Sequence, residues 1–114
     1  MSHLDQKVII GDCVEQLKKI DAASIQTIVT SPPYNIRKNY GKYNDDIDSS
    51  DWENLIDNVF AEAKRVLKDN GSFFLNVSPV PDKKTKEIIP LDAICYFIGK
   101  KNNFFFKKLY YLAL

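Results

Sequence analysis

The sequence predicts an α/β fold in which a parallel sheet is flanked by helices. Three observations predict it. Residues 7–10, 25–30 and 72–77 are short runs rich in β-branched or aromatic side chains, which read as strands. Between and after them, apolar residues recur at spacings of three and four, the mark of amphipathic helices. Strands that alternate with helices are joined by crossovers and so lie parallel.

The elements follow in order. Val8, Ile9 and Ile10 form a continuous apolar run bounded by Gly11, as expected of a strand buried on both faces. Asp12 can cap a helix of about two turns, Cys13 to Ile20, with Val14, Leu17 and Ile20 on one face. Asp21 to Ser24 is a polar turn, and Ile25 to Thr30 is the second strand. A parallel crossover between these two strands is expected. Asn35 to Ser49 is a polar loop long enough to be functional. Its basic residues Arg37, Lys38 and Lys42 are interleaved with Tyr40 and Tyr43, a composition suited to phosphate and base contacts. The alternative is a solvated loop whose tyrosines pack on the domain.

Ser50-Asp51-Trp52-Glu53 reads as a capping box. It opens the clearest helix, with Trp52, Leu55, Ile56, Val59, Phe60, Ala63, Val66 and Leu67 in one stripe. Asn70-Gly71 is the expected stop. Ser72 to Val77 is the third strand, and Asp82 to Glu87 a charged, solvated loop. Leu91, Ile94, Cys95 and Ile98 give a helix from Leu91 to about Lys100. The remainder, residues 101–114, is aromatic and basic; a strand around Phe104 to Tyr111 would leave an apolar edge prone to aggregation.

Composition bounds the function. At 114 residues the chain holds one domain at most. Hydrophobic content of 45% and charge of 27% are those of a globular protein. No apolar run approaches the roughly 20 residues that cross a bilayer. The first residues lack the form of a signal peptide, so a cytoplasmic location and no membrane partner are expected. A net charge of +1 does not announce a nucleic-acid binder. Cys13 and Cys95 stand far apart and His3 is the only histidine, so neither a disulfide nor a metal site is expected.

The most informative stretch is the end of the second strand, where Thr30 runs into Ser31-Pro32-Pro33-Tyr34-Asn35. Proline fixes φ and has no N–H, so two of them end a ladder in a stiff corner. Ligand sites in open α/β sheets lie at such strand ends. An exocyclic amino group of a nucleobase is a poor nucleophile, because its lone pair is delocalised into the ring. Two acceptors for its hydrogens bias the nitrogen towards attack. The Ser31 oxygen and the Pro32 carbonyl can be those acceptors, aimed by the prolines. The base must leave the duplex first, and Tyr34 offers a face for it to stack on. A methyl sulfonium is reactive enough to need no tuned general base.

Thr30-Ser31-Pro32-Pro33-Tyr34-Asn35 resembles the (Asp/Asn/Ser)-Pro-Pro-(Tyr/Phe/Trp) motif of DNA amino-methyltransferases. Ile10-Gly11-Asp12-Cys13, Arg65-Val66-Leu67-Lys68, Gly71 to Val77 and Pro90-Leu91 resemble the flanking segments, in the family's order. The resemblance implies a partial Rossmann-like sheet, an incomplete S-adenosylmethionine-dependent methyltransferase fold. It implies methyl transfer to cytosine N4 or adenine N6, with Ser31 favouring cytosine, in a restriction–modification setting. The catalytic residues would be Ser31, Pro32, Pro33 and Tyr34. Asp12, Cys13, Thr30 and Ser31 would bind the cofactor. Asn35, Arg37, Lys38, Tyr40 and Lys42 would meet double-stranded DNA holding a flipped base.

A catalytic corner this early implies the permuted order, with a glycine-rich cofactor loop late in the chain. Gly11, Gly41, Gly71 and Gly99 never cluster, and no recognition region follows. Residues 1–100 therefore resemble the N-terminal half of a catalytic domain, expected to be inactive alone. A complementing methyltransferase fragment or a second copy would be its partner. The hypothesis for residues 101–114 is a shift of reading frame, since Lys-Lys-Asn-Asn-Phe-Phe-Phe-Lys-Lys implies long A and T tracts. A different α/β binding module, with Ser31 to Tyr34 as a rigid turn only, is the remaining reading.

Overall fold

The computed structural model describes residues 5–33, 39–40, 43–44 and 49–109. Its organising element is a parallel strand pair, β1 (Ile25–Thr30) and β4 (Leu67–Leu75). They are joined by helix α2 (Ser49–Val66), so the crossover runs through the longest helix. Before β1 lies the short helix α1 (Cys13–Leu17). Three antiparallel or helical pieces complete the set: a hairpin of β2 (Asn39–Tyr40) and β3 (Tyr43–Asn44), a hairpin of β5 (Val80–Pro81) and β6 (Ile88–Ile89), and helix α3 (Leu91–Lys101).

The first predicted strand does not form. Residues 7–10 are in no ladder, and Val8 and Ile10 are 89% and 92% exposed. The physical reason is pairing. A β-branched run has the propensity of a strand, but a strand exists only against a neighbour, and among the described residues none lies alongside. The expected crossover between residues 7–10 and β1 is therefore replaced by the one through α2. Among the described residues the parallel sheet has two strands in place of three.

Helix α1 stops at Leu17, a turn short of the expected Ile20. Asp12 does cap it, its Oδ2 accepting from the Glu15 N–H at 3.0 Å. At the other end, Lys19 and Ile20 donate to Gln16 and Leu17, so the last turn tightens to three-residue bonds. Arg65 then ties this end to α2, donating to the Leu17 carbonyl at 2.8 Å while pairing with Glu62 at 2.6 Å.

Helix α2 places its stripe as the spacing predicts. Trp52, Ile56, Phe60, Ala63 and Val66 are buried. The helix begins at Ser49, so Ser50 lies inside its first turn and not at the cap. Strand β4 follows without a break at Leu67, and Asn70-Gly71 falls within it instead of ending the helix. There the register slips: Ile25 pairs with Leu67, but Thr27 pairs with Ser72. The extra residues of β4 fold back, with the Asn70 carbonyl accepting from the Gln26 side chain at 3.0 Å. A Cβ on Gly71 would stand 2.9 Å from the carbonyl oxygens of Gln26 and Lys68, so only glycine fits this approach.

The core joins α2, β5 and α3: Trp52, Ile56, Phe60, Val80, Leu91 and Cys95. Strand β4 lays Phe73 against it, edge to face with Phe60 at 5.3 Å. Helix α3 ends in a Schellman turn. Asn103 takes a left-handed φ of 66°, the Phe104 N–H donates to Gly99, and the Asn103 N–H donates to Lys100. The turn returns Phe104 to the core, 5.9 Å from Phe60 and 5.4 Å from Phe73. The strand considered from Phe104 to Tyr111 is absent across residues 104–109: Phe104 packs on the core by its side chain, Phe105 and Leu109 are exposed, and no strand among the described residues pairs with this stretch.

Candidate active site at the end of strand β1

Strand β1 ends at Thr30, opposite Leu75 at the end of β4. The Thr30 carbonyl still accepts from the Asn76 N–H at 2.9 Å, one step beyond the ladder. Ser31, Pro32 and Pro33 follow outside any strand, since two prolines cannot donate to one. Ser31 is exposed and the prolines are half-buried. The Pro33 carbonyl accepts from the indole Nε1–H of Trp52 at 2.6 Å, across from the first turn of α2. The corner thus stands at the carboxyl end of parallel strands and is anchored on both sides.

Of the expected cofactor residues, the structure brings Cys13 and Thr30 together. They line an apolar cleft of about 300 Å³ between α1, β1 and α2, with Leu17, Ile28 and Val59 among its walls. Although Cys13 is exposed at the cleft mouth, partial desolvation of its sulfur first, and then the charge of Asp12, raise its thiol pKa above the ordinary value, so it stays protonated at neutral pH. Asp12 lines a separate, polar cleft of about 360 Å³ with Glu15, Lys18, Asn58 and Glu62. Its carboxylate serves the α1 cap through one oxygen. Tyr34, Asn35, Arg37, Lys38 and Lys42 lie outside the described residues, and of Tyr40 only its place in β2 is described.

Trp52 is the site residue that sequence reasoning missed. Its place in an apolar stripe marks it as core, and it is 2% exposed. Nothing in the spacing signals that its N–H reaches a carbonyl 19 positions earlier. The single clue was residue type, since a stripe position filled by Phe or Leu would need no donor.

The chemistry of the corner is that of acceptors. A hydroxyl and consecutive carbonyls are presented on a stiff turn, without a cationic or acidic group among Thr30 to Pro33. Among the described residues no group of three or more His, Cys, Asp or Glu is placed to hold a metal ion. No helix among them is long and apolar enough to cross a membrane.

The sequence pattern of the DNA methylase family, of the N6 and N4 type, matches residues 25–112, which is most of the chain. The chain belongs to the DNA methylase family. Among its methylase relatives is the Type II methyltransferase M.HpaI of Haemophilus parainfluenzae, 32% identical over 94 residues. That match takes in 82% of this chain and 30% of M.HpaI. The DNA adenine methyltransferase YhdJ of Escherichia coli K12 is 40% identical over 72 residues, 60% of this chain and 23% of YhdJ. Among solved structures, the DNA modification methylase TTHA0409 of Thermus thermophilus, complexed with S-adenosyl-L-methionine, superimposes with a TM-score of 0.67 at 26% identity. The superposition covers 82% of this chain and 39% of that one. This methylase chain thus spans well under half the length of the relatives it matches.

Proposed function

We propose that this chain carries the methyl-acceptor corner of an enzyme that moves a methyl group from S-adenosylmethionine to an exocyclic amino group of a DNA base. The observation that carries the reading is the corner itself: Ser31 and Pro32, held between two hydrogen-bonded carbonyls at the end of a parallel strand. Family membership supports it, as does the cofactor complexed with TTHA0409. Ser31, standing in the first position of the motif in place of Asp, favours cytosine N4. Adenine N6 is the second substrate class, and YhdJ is named for adenine. Double-stranded DNA with a flipped base is the partner, met by Tyr34 and by the basic loop with Asn35, Arg37, Lys38, Tyr40 and Lys42.

The residues present fit one part of the cofactor. The apolar cleft between Cys13 and Thr30 suits a flat ring, and the exposed carboxylate of Asp12 suits a hydroxyl or amino donor. S-adenosylmethionine supplies the electrophilic methyl group. Ser31 and the Pro32 carbonyl orient the amino nitrogen and Tyr34 stacks the base.

A specific observation favours assembly over solitary catalysis. Val29 and Phe74 leave one face of the parallel pair open, while parallel sheets are ordinarily covered on both. The partner is a methyltransferase fragment carrying a glycine-rich loop and a recognition region, or a second copy of the chain. The test uses S-adenosylmethionine with a labelled methyl group and unmethylated DNA. The chain is assayed alone and mixed with a second polypeptide that carries those two parts. Label in N4-methylcytosine or N6-methyladenine in the mixture is the expected result. Unlabelled bases in both arms would overturn the proposal.

A further inference from the structure

We infer that Trp52 is a positioning residue for the corner: its indole N–H fixes the Pro33 carbonyl and thereby aims the Ser31 hydroxyl and the Pro32 carbonyl. The inference rests on the methyl-transfer reading above and deepens it.

Two hydrogen bonds bracket the corner. The Thr30 carbonyl is taken by the Asn76 N–H at 2.9 Å, and the Pro33 carbonyl by Trp52 Nε1 at 2.6 Å. Ser31 and Pro32 lie between them. Proline has a fixed φ and no N–H, so ψ is the chief backbone freedom left at Pro32 and Pro33. A bond to the Pro33 carbonyl removes the rotation at its own ψ. The donor is itself immobile. Trp52 is buried beside Ile56 in the main core, so its ring cannot swing away without opening that core.

The residue type argues the same way. Ile56 and Phe60 continue the stripe with no polar atom, and a phenylalanine at position 52 would fill the core as another aromatic. What only tryptophan adds is an N–H at the far edge of the ring, and that N–H has its partner at the corner. The chain has one tryptophan, and it is here. The link also places the start of α2 in contact with the corner. The end of β1 and the helix that crosses over to β4 therefore share one fixed geometry.

The lone indole makes the test direct. In the 15N-labelled chain, the Trp52 Nε1–H should exchange with solvent more than about tenfold slower than free indole. Slowing of less than tenfold overturns the clamp. The second measurement replaces Trp52 with β-(3-benzothienyl)alanine, which has nearly the same shape and no N–H, and compares it with Trp52→Phe. In an assembly that methylates DNA, both should lower kcat about tenfold or more, with KM for S-adenosylmethionine and for DNA within twofold. A residue that served only packing would leave kcat unchanged in the benzothienyl variant, and that result overturns positioning. A wild type that transfers no methyl group in any assembly defeats the functional reading, whereas the exchange rate decides the clamp without reference to activity.

Discussion

Val29 and Phe74 face each other across the parallel register of β1 and β4, and both side chains are exposed, at 77% and 52%. The adjacent pair, Ile28 and Phe73, points the other way, towards α2. Strand periodicity puts neighbours on opposite faces, and here the faces have different surroundings. Phe73→Ala should therefore cost roughly 3 kcal/mol of unfolding free energy, as truncation of a packed phenylalanine does. Phe74→Ala should change it by less than about 1 kcal/mol. Urea melts of the two variants check the contrast. Equal losses would mean that the outer face is covered.

Gly71 sits where β4 folds back against β1. Gly71→Ala puts a methyl group against two backbone carbonyls, which cannot swing aside as a side chain could. The expected loss is about 1–3 kcal/mol, typical of forced overpacking. Denaturant midpoints measure it, and an unchanged midpoint would mean that the bulge opens freely.

Asp57 links α2 to the end of α3. Its carboxylate accepts from Asn102 at 2.8 Å and pairs with Lys101 at 3.0 Å. The Asn102 hydrogen bond first, and Lys101 next, hold its pKa below the ordinary carboxylate value. A depressed folded-state pKa contributes stability above the unfolded value of about 3.9, which is lost as pH falls through the folded one. Asp82 behaves alike, its carboxylate accepting from the Thr85 and Lys84 amides. Asp57→Ala should cost about 1 kcal/mol at pH 7 and less at pH 2. Thermal melts across that range test the sign.

The two thiols should react apart. Cys95 is buried, and burial, with the Asp92 charge adding, pushes its pKa up to about 12. Its protonated form contributes stability that is complete below the unfolded value of about 8.5 and is lost between there and about 12. Cys13 is exposed. A thiol reagent at pH 8 should label Cys13 alone in the folded chain and both in denaturant. Equal native labelling would show that α3 opens.

In an assembly that methylates DNA, Ser31→Ala should lower kcat by about a hundredfold, because it removes an aimed acceptor. Tyr34→Ala should instead weaken DNA binding, with base stacking worth about 1–3 kcal/mol. Single-turnover and equilibrium binding measurements separate the two effects. A fully active double variant would refute both roles.

Strand β1 and helices α2 and α3 were legible in the sequence because their patterns are local. Six β-branched or polar residues before two prolines make a strand end, and the stripe from Trp52 to Val66 makes a helix. Residues 7–10 were not legible, because their propensity cannot name a neighbour. The slip at Asn70-Gly71 was hidden for a related reason: those residues signal a turn, and the turn is set inside a strand by its partner. At the site, Ser31 to Pro33 could be read as a rigid corner from covalent geometry alone. The Trp52 bond could not, since it depends on how α2 packs and not on spacing along the chain.

The register of β1 against β4 also sets a timetable for synthesis. Thr30 meets Leu75, 45 positions downstream. At roughly 5–20 residues per second, β1 waits on the order of 2–9 s for its partner to be made. During that wait an apolar strand is open to pairing with other nascent chains. Pro32 and Pro33 end it abruptly on one side, where a further ladder would otherwise grow. The residues that stiffen the corner thus also guard the unfinished chain.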